Sequence, residues 1–222
     1  AEEFKSLCEA LSSLSVVKDI VLNVRQIKAA SFFGSGNIAQ LKSLVISNNI
    51  SLVLVDVNLS PIQQRNLEHE LKAKVIDRTG LILEIFGNRA KTREGALQVE
   101  LAHLEYQKSR LVRSWTHLER QRGGIGFMGG PGETQIESDR RILAEKISKI
   151  KQSLDKVTLT RHLHRENRKK NRIPVISLVG YTNSGKSSIF NFLTNASVLS
   201  QDMLFATLDP TMRAFKLLGK KE

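Results

Sequence analysis

With 222 residues the chain has room for one large domain or two to three small ones, and its 41% hydrophobic content excludes global disorder. A net charge of +12 and a pI near 10.0 point to a polyanionic partner, nucleic acid first and an acidic membrane surface second. A lone cysteine, Cys8, excludes a disulfide framework and a cysteine-based zinc site, and apolar runs such as Val53 to Val55 are far too short to span a bilayer.

The fold class expected is α/β, in three parts: 1–91, 92–172 and 173–222. The first reads as a small α/β subdomain with a parallel sheet. Ile20-Val21-Leu22-Asn23-Val24 and Ser51-Leu52-Val53-Leu54-Val55 are β-branched runs and strand candidates, and Lys74-Val75-Ile76 is a third. Between the first two, Ile38, Leu41, Leu44 and Val45 recur at helical spacing. The turn Gly34-Ser35-Gly36-Asn37 is a partial phosphate-cradle pattern, better read as a plain turn before that helix. Ser60-Pro61-Ile62-Gln63 is a helix start, with Ser as cap, Pro at the first helical position and Gln closing a capping box.

The second part carries a 3.5-residue apolar period twice. Leu97, Leu101, Leu104, Leu111, Trp115 and Leu118 step by fours and threes with Lys108 in the polar slot. Ile136, Leu143, Ile147, Ile150, Leu154 and Val157 do the same with Arg140 in the slot. Two long helices with narrow seams predict an antiparallel hairpin, and thirty helical residues reach about 45 Å. Thr134-Gln135-Ile136-Glu137 is a capping box that starts the second helix. The joint from Gly123 to Gly132 has ten residues, six of them glycine, where two to five suffice for a helix–helix turn. With Phe127 and Met128 it reads as a tip that inserts into a partner, against the plainer reading of a disordered connector.

Residues 93–172 hold 18 Lys+Arg against 10 Asp+Glu, which is +8 of the total +12. Concentration of charge on one projecting element favours binding to an RNA backbone over a merely solvated helix face. The candidate contacts are Arg120, Arg122, Gly124, Phe127, Met128, Arg140, Arg141, Arg161, Arg165, Arg168, Lys169 and Lys170.

In the third part, Val175-Ile176-Ser177-Leu178-Val179 reads as a buried strand running into Gly180-Tyr181-Thr182-Asn183-Ser184-Gly185-Lys186-Ser187, and the residues from Ser187 to Leu193 read as helix. Strand, glycine-rich loop, helix is the context of a P-loop. Backbone N–H groups of residues 182 to 188, Ser188 included, are placed to wrap a triphosphate at the positive end of the helix. Lys186 is expected to reach the β- and γ-phosphates, and Ser187 to offer its hydroxyl to Mg2+. The later stretch from Leu204 to Thr211 reads as a mobile loop, with Thr207 as a second Mg2+ ligand and Phe205 beside it at the nucleotide.

At this point the sequence resembles the HflX family of translational GTPases. The residues that carry the likeness are Trp115 to Gly126, then Gly130-Pro131-Gly132-Glu133-Thr134-Gln135. Val75-Ile76-Asp77-Arg78-Thr79, Leu59 to Leu67, Gly180 to Ser187 and Leu204 to Thr211 resemble the family as well. The resemblance implies GTP and GDP as ligands and the large ribosomal subunit with its rRNA as partner. It also implies a glycine loop that reaches toward the peptidyl transferase centre and an activity that splits or rescues stalled ribosomes. In the family's wider class an Asn at the position of Asn183 helps to hold a monovalent cation, which makes K+ a second candidate cofactor.

The DxxG and NKxD motifs of such GTPases do not follow the Thr207 loop in this chain, and the family's first strand is unmatched before Ala1. A fragment is therefore expected: a GTPase in the full-length parent, inactive by itself, monomeric and without a membrane span. The expected location is the cytoplasm; the basic charge is compatible with peripheral membrane association, and the start at Ala1 leaves an organelle matrix open. Two other readings stand beside this one: an ATP-driven RNA-remodelling P-loop protein, and a non-enzymatic RNA-binding or anti-association module.

Overall fold

The computed structural model of the chain describes residues 2–121, 135–200 and 204–215, with the backbone alone for 112–121, 135 and 136. Seven helices and two strands are defined among them: α1 (Glu2–Glu9), α2 (Ser35–Ser47), β1 (Leu52–Val55), α3 (Pro61–Leu71), β2 (Lys74–Asp77), α4 (Arg78–Arg89), α5 (Arg93–Gln121), α6 (Gln135–Lys170) and α7 (Lys186–Thr194). The architecture is α/β.

β1 and β2 pair in parallel, with Val53 opposite Val75 and Val55 opposite Asp77, and α3 makes the crossover. Successive side chains of a strand face opposite ways. Val53, Val55 and Val75 therefore meet Leu41 of α2 and Leu67 and Leu71 of α3 on one face. Leu54 and Ile76 meet Leu7 and Leu11 near α1 and Leu81 and Ile85 of α4 on the other. The crossover helix starts as its sequence predicts. Ser60 accepts from the Gln63 N–H at 3.2 Å, and the Gln63 side chain accepts from the Ser60 N–H at 2.9 Å.

The stretch from Ile20 to Val24 is not a strand. Ile20, Leu22 and Val24 do alternate inward onto the first core, which is the signal the pattern carried. Among the described residues no strand lies alongside to complete a ladder. Its recorded tie there is the Asn37 side chain, which donates to the Asn23 carbonyl at 3.2 Å.

Helices α5 and α6 pack along the predicted seam. Leu104, Ile147 and Ile150 are buried, with Leu97, Leu101, Leu143 and Leu154 packed against them. Their antiparallel sense follows from the ion pairs. Glu94 meets Arg161 at 2.7 Å, while Glu105, further along α5, meets Lys151, further back on α6, at 3.0 Å. The tip from Gly123 to Gly132 and the cap Thr134 lie outside the described residues.

Asp77 joins the hairpin to the sheet. It is 2% exposed and ends β2. Its two oxygens accept from four donors: Leu59 N–H at 3.2 Å, Gly80 N–H at 2.9 Å, Tyr106 Oη at 2.7 Å and Arg110 Nη2 at 2.8 Å. A buried carboxylate needs this number of partners to offset its desolvation. The Arg110 guanidinium also lies 4.1 Å from the centroid of the Tyr106 ring and bonds Gln64 of α3. Burial, then the bond to Asp77, pushes the Tyr106 phenol well above its ordinary range, so it stays a donor. A cleft of about 600 Å3 opens over this network, lined in part by Asn58, Thr79 and Lys151.

Candidate nucleotide-binding site

The predicted strand from Val175 to Val179 is the clearest correction. Residues 174–180 have no regular structure and are exposed, Val179 at 90%. A strand requires a neighbour to take its hydrogen bonds, and among the described residues none pairs with this one.

The loop and helix after it form as expected. α7 begins at Lys186, one residue before the expected Ser187, and runs to Thr194. Gly185 is its N-cap with φ of 79° in the left-handed region, where a side chain would strain the backbone. Asn183 is also left-handed, with φ of 58°. Gly180 lets the loop fold back on itself, because a Cβ there would lie 3.0 Å from Ser184 Oγ. The first N–H groups of any helix lack intrahelical acceptors, so those of Lys186, Ser187 and Ser188 open the helix with a positive end suited to an anion. The Lys186 ammonium is held over the loop by the Tyr181 carbonyl and by Ser184 Oγ at 3.3 Å. Gly180, Tyr181, Thr182, Asn183, Ser184, Gly185, Lys186, Ser187 and Ser188 thus form one short, exposed arch.

The chain then folds back over α7. Asn191 clamps Val198 through both amide atoms, at 2.7 and 2.9 Å, and Ser188 Oγ meets Ser200 Oγ at 2.7 Å. Thr207 arrives beside the P-loop: its hydroxyl is 2.9 Å from Ser187 Oγ and 3.0 Å from the Leu199 carbonyl, to which it donates. Two residues named as a pair from sequence therefore stand together. Their spacing suits a magnesium ion, since neighbouring ligands of an octahedron at about 2.0–2.1 Å from the metal lie roughly 2.9 Å apart. Phe205, two residues before Thr207, turns toward α4. Its ring stacks edge-on against Phe86 of α4, 5.1 Å between centroids at 84°.

Sequence reading overlooked Asp209. It leaves this loop and reaches the start of α5, where it accepts from the N–H groups of Lys91 and Thr92 at 2.7 and 2.8 Å and from the Thr92 hydroxyl at 2.6 Å. Burial works against its charged form, but the bonds from Thr92 and Lys91 prevail and hold the carboxyl below its usual range. An Asp two residues beyond the candidate threonine was the available signal.

The candidate RNA contacts divide. Arg140, Arg141, Arg161, Arg165, Lys169 and Lys170 are exposed along α6, and Arg168 is half-buried. Arg161 pairs with Glu94, and Lys169 with Glu166 at 3.0 Å, which holds the Glu166 carboxyl below its ordinary range. The side chain of Arg120, and Arg122, Gly124, Phe127 and Met128 altogether, lie outside the described residues. No described helix is long and apolar enough to cross a membrane.

A glycine-rich arch capping a helix, with Lys and Ser at its first two positions and a Thr-bearing loop returning to that Ser, is the loop-and-helix geometry of a P-loop. Three family models match consecutive stretches: GTP-binding GTPase N-terminal over residues 1–87, GTP-binding GTPase Middle Region over 89–168, and 50S ribosome-binding GTPase over 175–222. The chain belongs to the HflX family of GTPases. It is 56% identical over 206 residues to GTPase HflX of Magnetococcus marinus, covering 93% of this chain and 48% of that one. It is 50% identical over 214 residues to GTPase HflX of Escherichia coli, covering 96% and 49%. The chain spans about half the length of the curated relatives it matches. Among solved structures, SsGBP in complex with GDP superposes with a TM-score of 0.57 at 28% identity, over 88% of this chain and 52% of that one. A GTP-binding protein from the archaeon Sulfolobus solfataricus, also with GDP, gives 0.53 at 26% identity, over 87% and 50%.

Proposed function

We propose that the full-length protein binds and hydrolyses GTP, and that this cycle controls its grip on the large ribosomal subunit so that stalled ribosomes are split or rescued. The observation that carries the reading is the meeting of Ser187 and Thr207 at the N terminus of α7, 2.9 Å apart, in a member of a GTPase family.

Backbone N–H groups from Thr182 to Ser188 and the Lys186 ammonium hold the phosphates. Ser187 and Thr207 are the residues that hold Mg2+, which when bound supplies positive charge at the β- and γ-phosphates. Because Thr207 sits on a loop and Ser187 on a helix, the site senses a γ-phosphate by ordering one element against another. Asn183, left-handed in the arch, shares in holding K+. The exposed cations of α6 give sequence-independent contacts to rRNA phosphates, which agrees with the description of the family matched at 175–222. Residues 1–222 alone, with no DxxG or NKxD motif after the Thr207 loop, bind the nucleotide weakly and turn it over negligibly.

The test is Lys186→Ala in the full-length protein. It is expected to abolish binding of a fluorescent guanine nucleotide and, with it, nucleotide-dependent splitting of ribosomes in sedimentation. Wild-type affinity in the variant sinks the site, and equal competition by ATP moves the reading to an ATP-driven RNA-remodelling protein.

A further inference from the structure

The loop carrying Thr207 is fastened on both sides to parts of the molecule outside the nucleotide site. Two residues before Thr207, Phe205 stacks on Phe86, and with Leu204 it packs against the core of Leu81 and Ile85. Two residues after it, Asp209 takes three hydrogen bonds from Lys91 and Thr92. Thr92 is itself built into the start of α5, because its hydroxyl accepts from the Gly95 N–H at 3.0 Å while donating to Asp209. Position 95 has no room for a side chain while this contact stands: a Cβ would lie 2.1 Å from Asp209 Oδ1. A peptide reaches at most about 3.6 Å per residue, so two anchors at this spacing hold the Thr207 Cα within about 7 Å of each.

We propose that Asp209 is a positioning residue for the nucleotide site, docked on the Lys91–Thr92–Gly95 corner at the root of the hairpin so that Thr207 is held opposite Ser187. The idea rests on the functional reading above and deepens it. Asp209 is assigned no contact with nucleotide or metal, because its oxygens are taken up by Lys91 and Thr92. It acts through Thr207, and it ties the loop that senses the γ-phosphate to the first turn of α5. A plain capping role for Asp209 on α5 would affect all nucleotides alike. A positioning role affects the triphosphate with Mg2+ and leaves GDP, which has no γ-phosphate to bring Thr207 into play, bound as before.

The experiment uses the full-length protein with Asp209→Asn, Gly95→Ala, Thr92→Val and Thr92→Ser, alongside Lys186→Ala. GDP affinity, the Mg2+ requirement for binding a non-hydrolysable GTP analogue, and kcat are measured for each. The first three variants are expected to keep GDP affinity within twofold, while the Mg2+ half-saturation rises and kcat falls about ten-fold, the order of loss expected when a reacting geometry is displaced. Thr92→Ser, which keeps the hydroxyl, restores both. Gly95→Ala is the most telling variant, since it displaces the Asp209 carboxylate from a residue with no part in nucleotide contact. If its Mg2+ requirement and kcat match the wild type, the proposal is overturned. The same follows if the three variants lose GDP affinity in parallel with kcat. Lys186→Ala separates the failures. If it loses binding while Gly95→Ala behaves as wild type, the positioning idea alone fails. If Lys186→Ala binds normally, the nucleotide site itself is misassigned.

Discussion

The α/β unit and the P-loop segment are built from similar residues and differ in what they bury. Val75, Leu67, Leu81 and Ile85 are sealed between sheet and helices, and Asp77 is sealed with them, both of its oxygens bonded. Residues 173–200 are as apolar in places, yet α7 buries no residue, and Ile176 and Phe192 face outward. The P-loop keeps its shape through short-range devices instead: left-handed Gly185 and Asn183, the Asn191 clamp on Val198, and the meeting of Ser187 with Thr207. Within residues 1–222, one region is shaped by removing surface from water and the other by local backbone geometry and hydroxyls. Substitutions should therefore divide sharply between them.

Asp77→Ala gives the largest expected effect. It removes the acceptor of the Leu59 and Gly80 amides and of Tyr106 and leaves the half-buried Arg110 guanidinium without its carboxylate, and breaking a buried pair costs up to about 3–5 kcal/mol. Urea denaturation of residues 1–222 should show the loss, whereas Val179→Ser in the same chain should stay within about 0.5 kcal/mol, as exposed positions do. A cost for Val179→Ser comparable to that for Asp77→Ala would dissolve the contrast.

Gly80→Ala comes next. Alanine favours a helix over glycine by about 0.5–1 kcal/mol. Here its Cβ would lie 2.8 Å from Ile76 Cγ2 and 3.0 Å from Tyr106 Oη, neither of which is the free end of a flexible chain. Overpacking of this kind costs about 1–3 kcal/mol, so a net loss near 1 kcal/mol is expected in the same denaturation series. A stabilised variant would mean that the Tyr106–Asp77 contact yields easily.

The smallest effect concerns pH. The folded carboxyl of Asp209 lies below its unfolded value, so the contact it makes is present above the ordinary carboxylate range, near pH 4, and is lost as pH falls through the folded value. The groups facing it are Thr92 and the Lys91 amide at the start of α5, with Arg161 of α6 adding a favourable field. The protection of the Lys91 and Thr92 amides from hydrogen exchange, taken relative to the intrinsic rate at each pH, should be high at neutral pH and fall below about pH 4. In Asp209→Asn that fall should vanish.

Much of this was legible in sequence where a signal is local. The Ser60 capping box, the seam from Leu97 to Leu154 and the glycine arch before α7 each depend on residues close in the chain. The two failed strands show the limit. Apolar alternation in the Ile20–Val24 stretch and the apolar run of Val175 to Val179 were read correctly as patterns, but a strand also needs a partner, which no pattern within the segment supplies. Asp77 was noticed only as part of a motif, because its donors come from positions 59, 80, 106 and 110. Asp209 was hidden for the same reason, bonding to residues more than a hundred positions away.

Helix α6 runs without interruption for 36 residues, from Gln135 to Lys170, ten positions before the first glycine of the P-loop. At the standard rise that is a rod of about 54 Å. A rod of that length is a lever. Pivoting it by about 5° at the nucleotide end sweeps its far end through roughly 5 Å, more than the diameter of a water molecule and close to the pitch of one helical turn. Changes too small to repack a core at one end become steps large enough to enter or leave a cavity at the other.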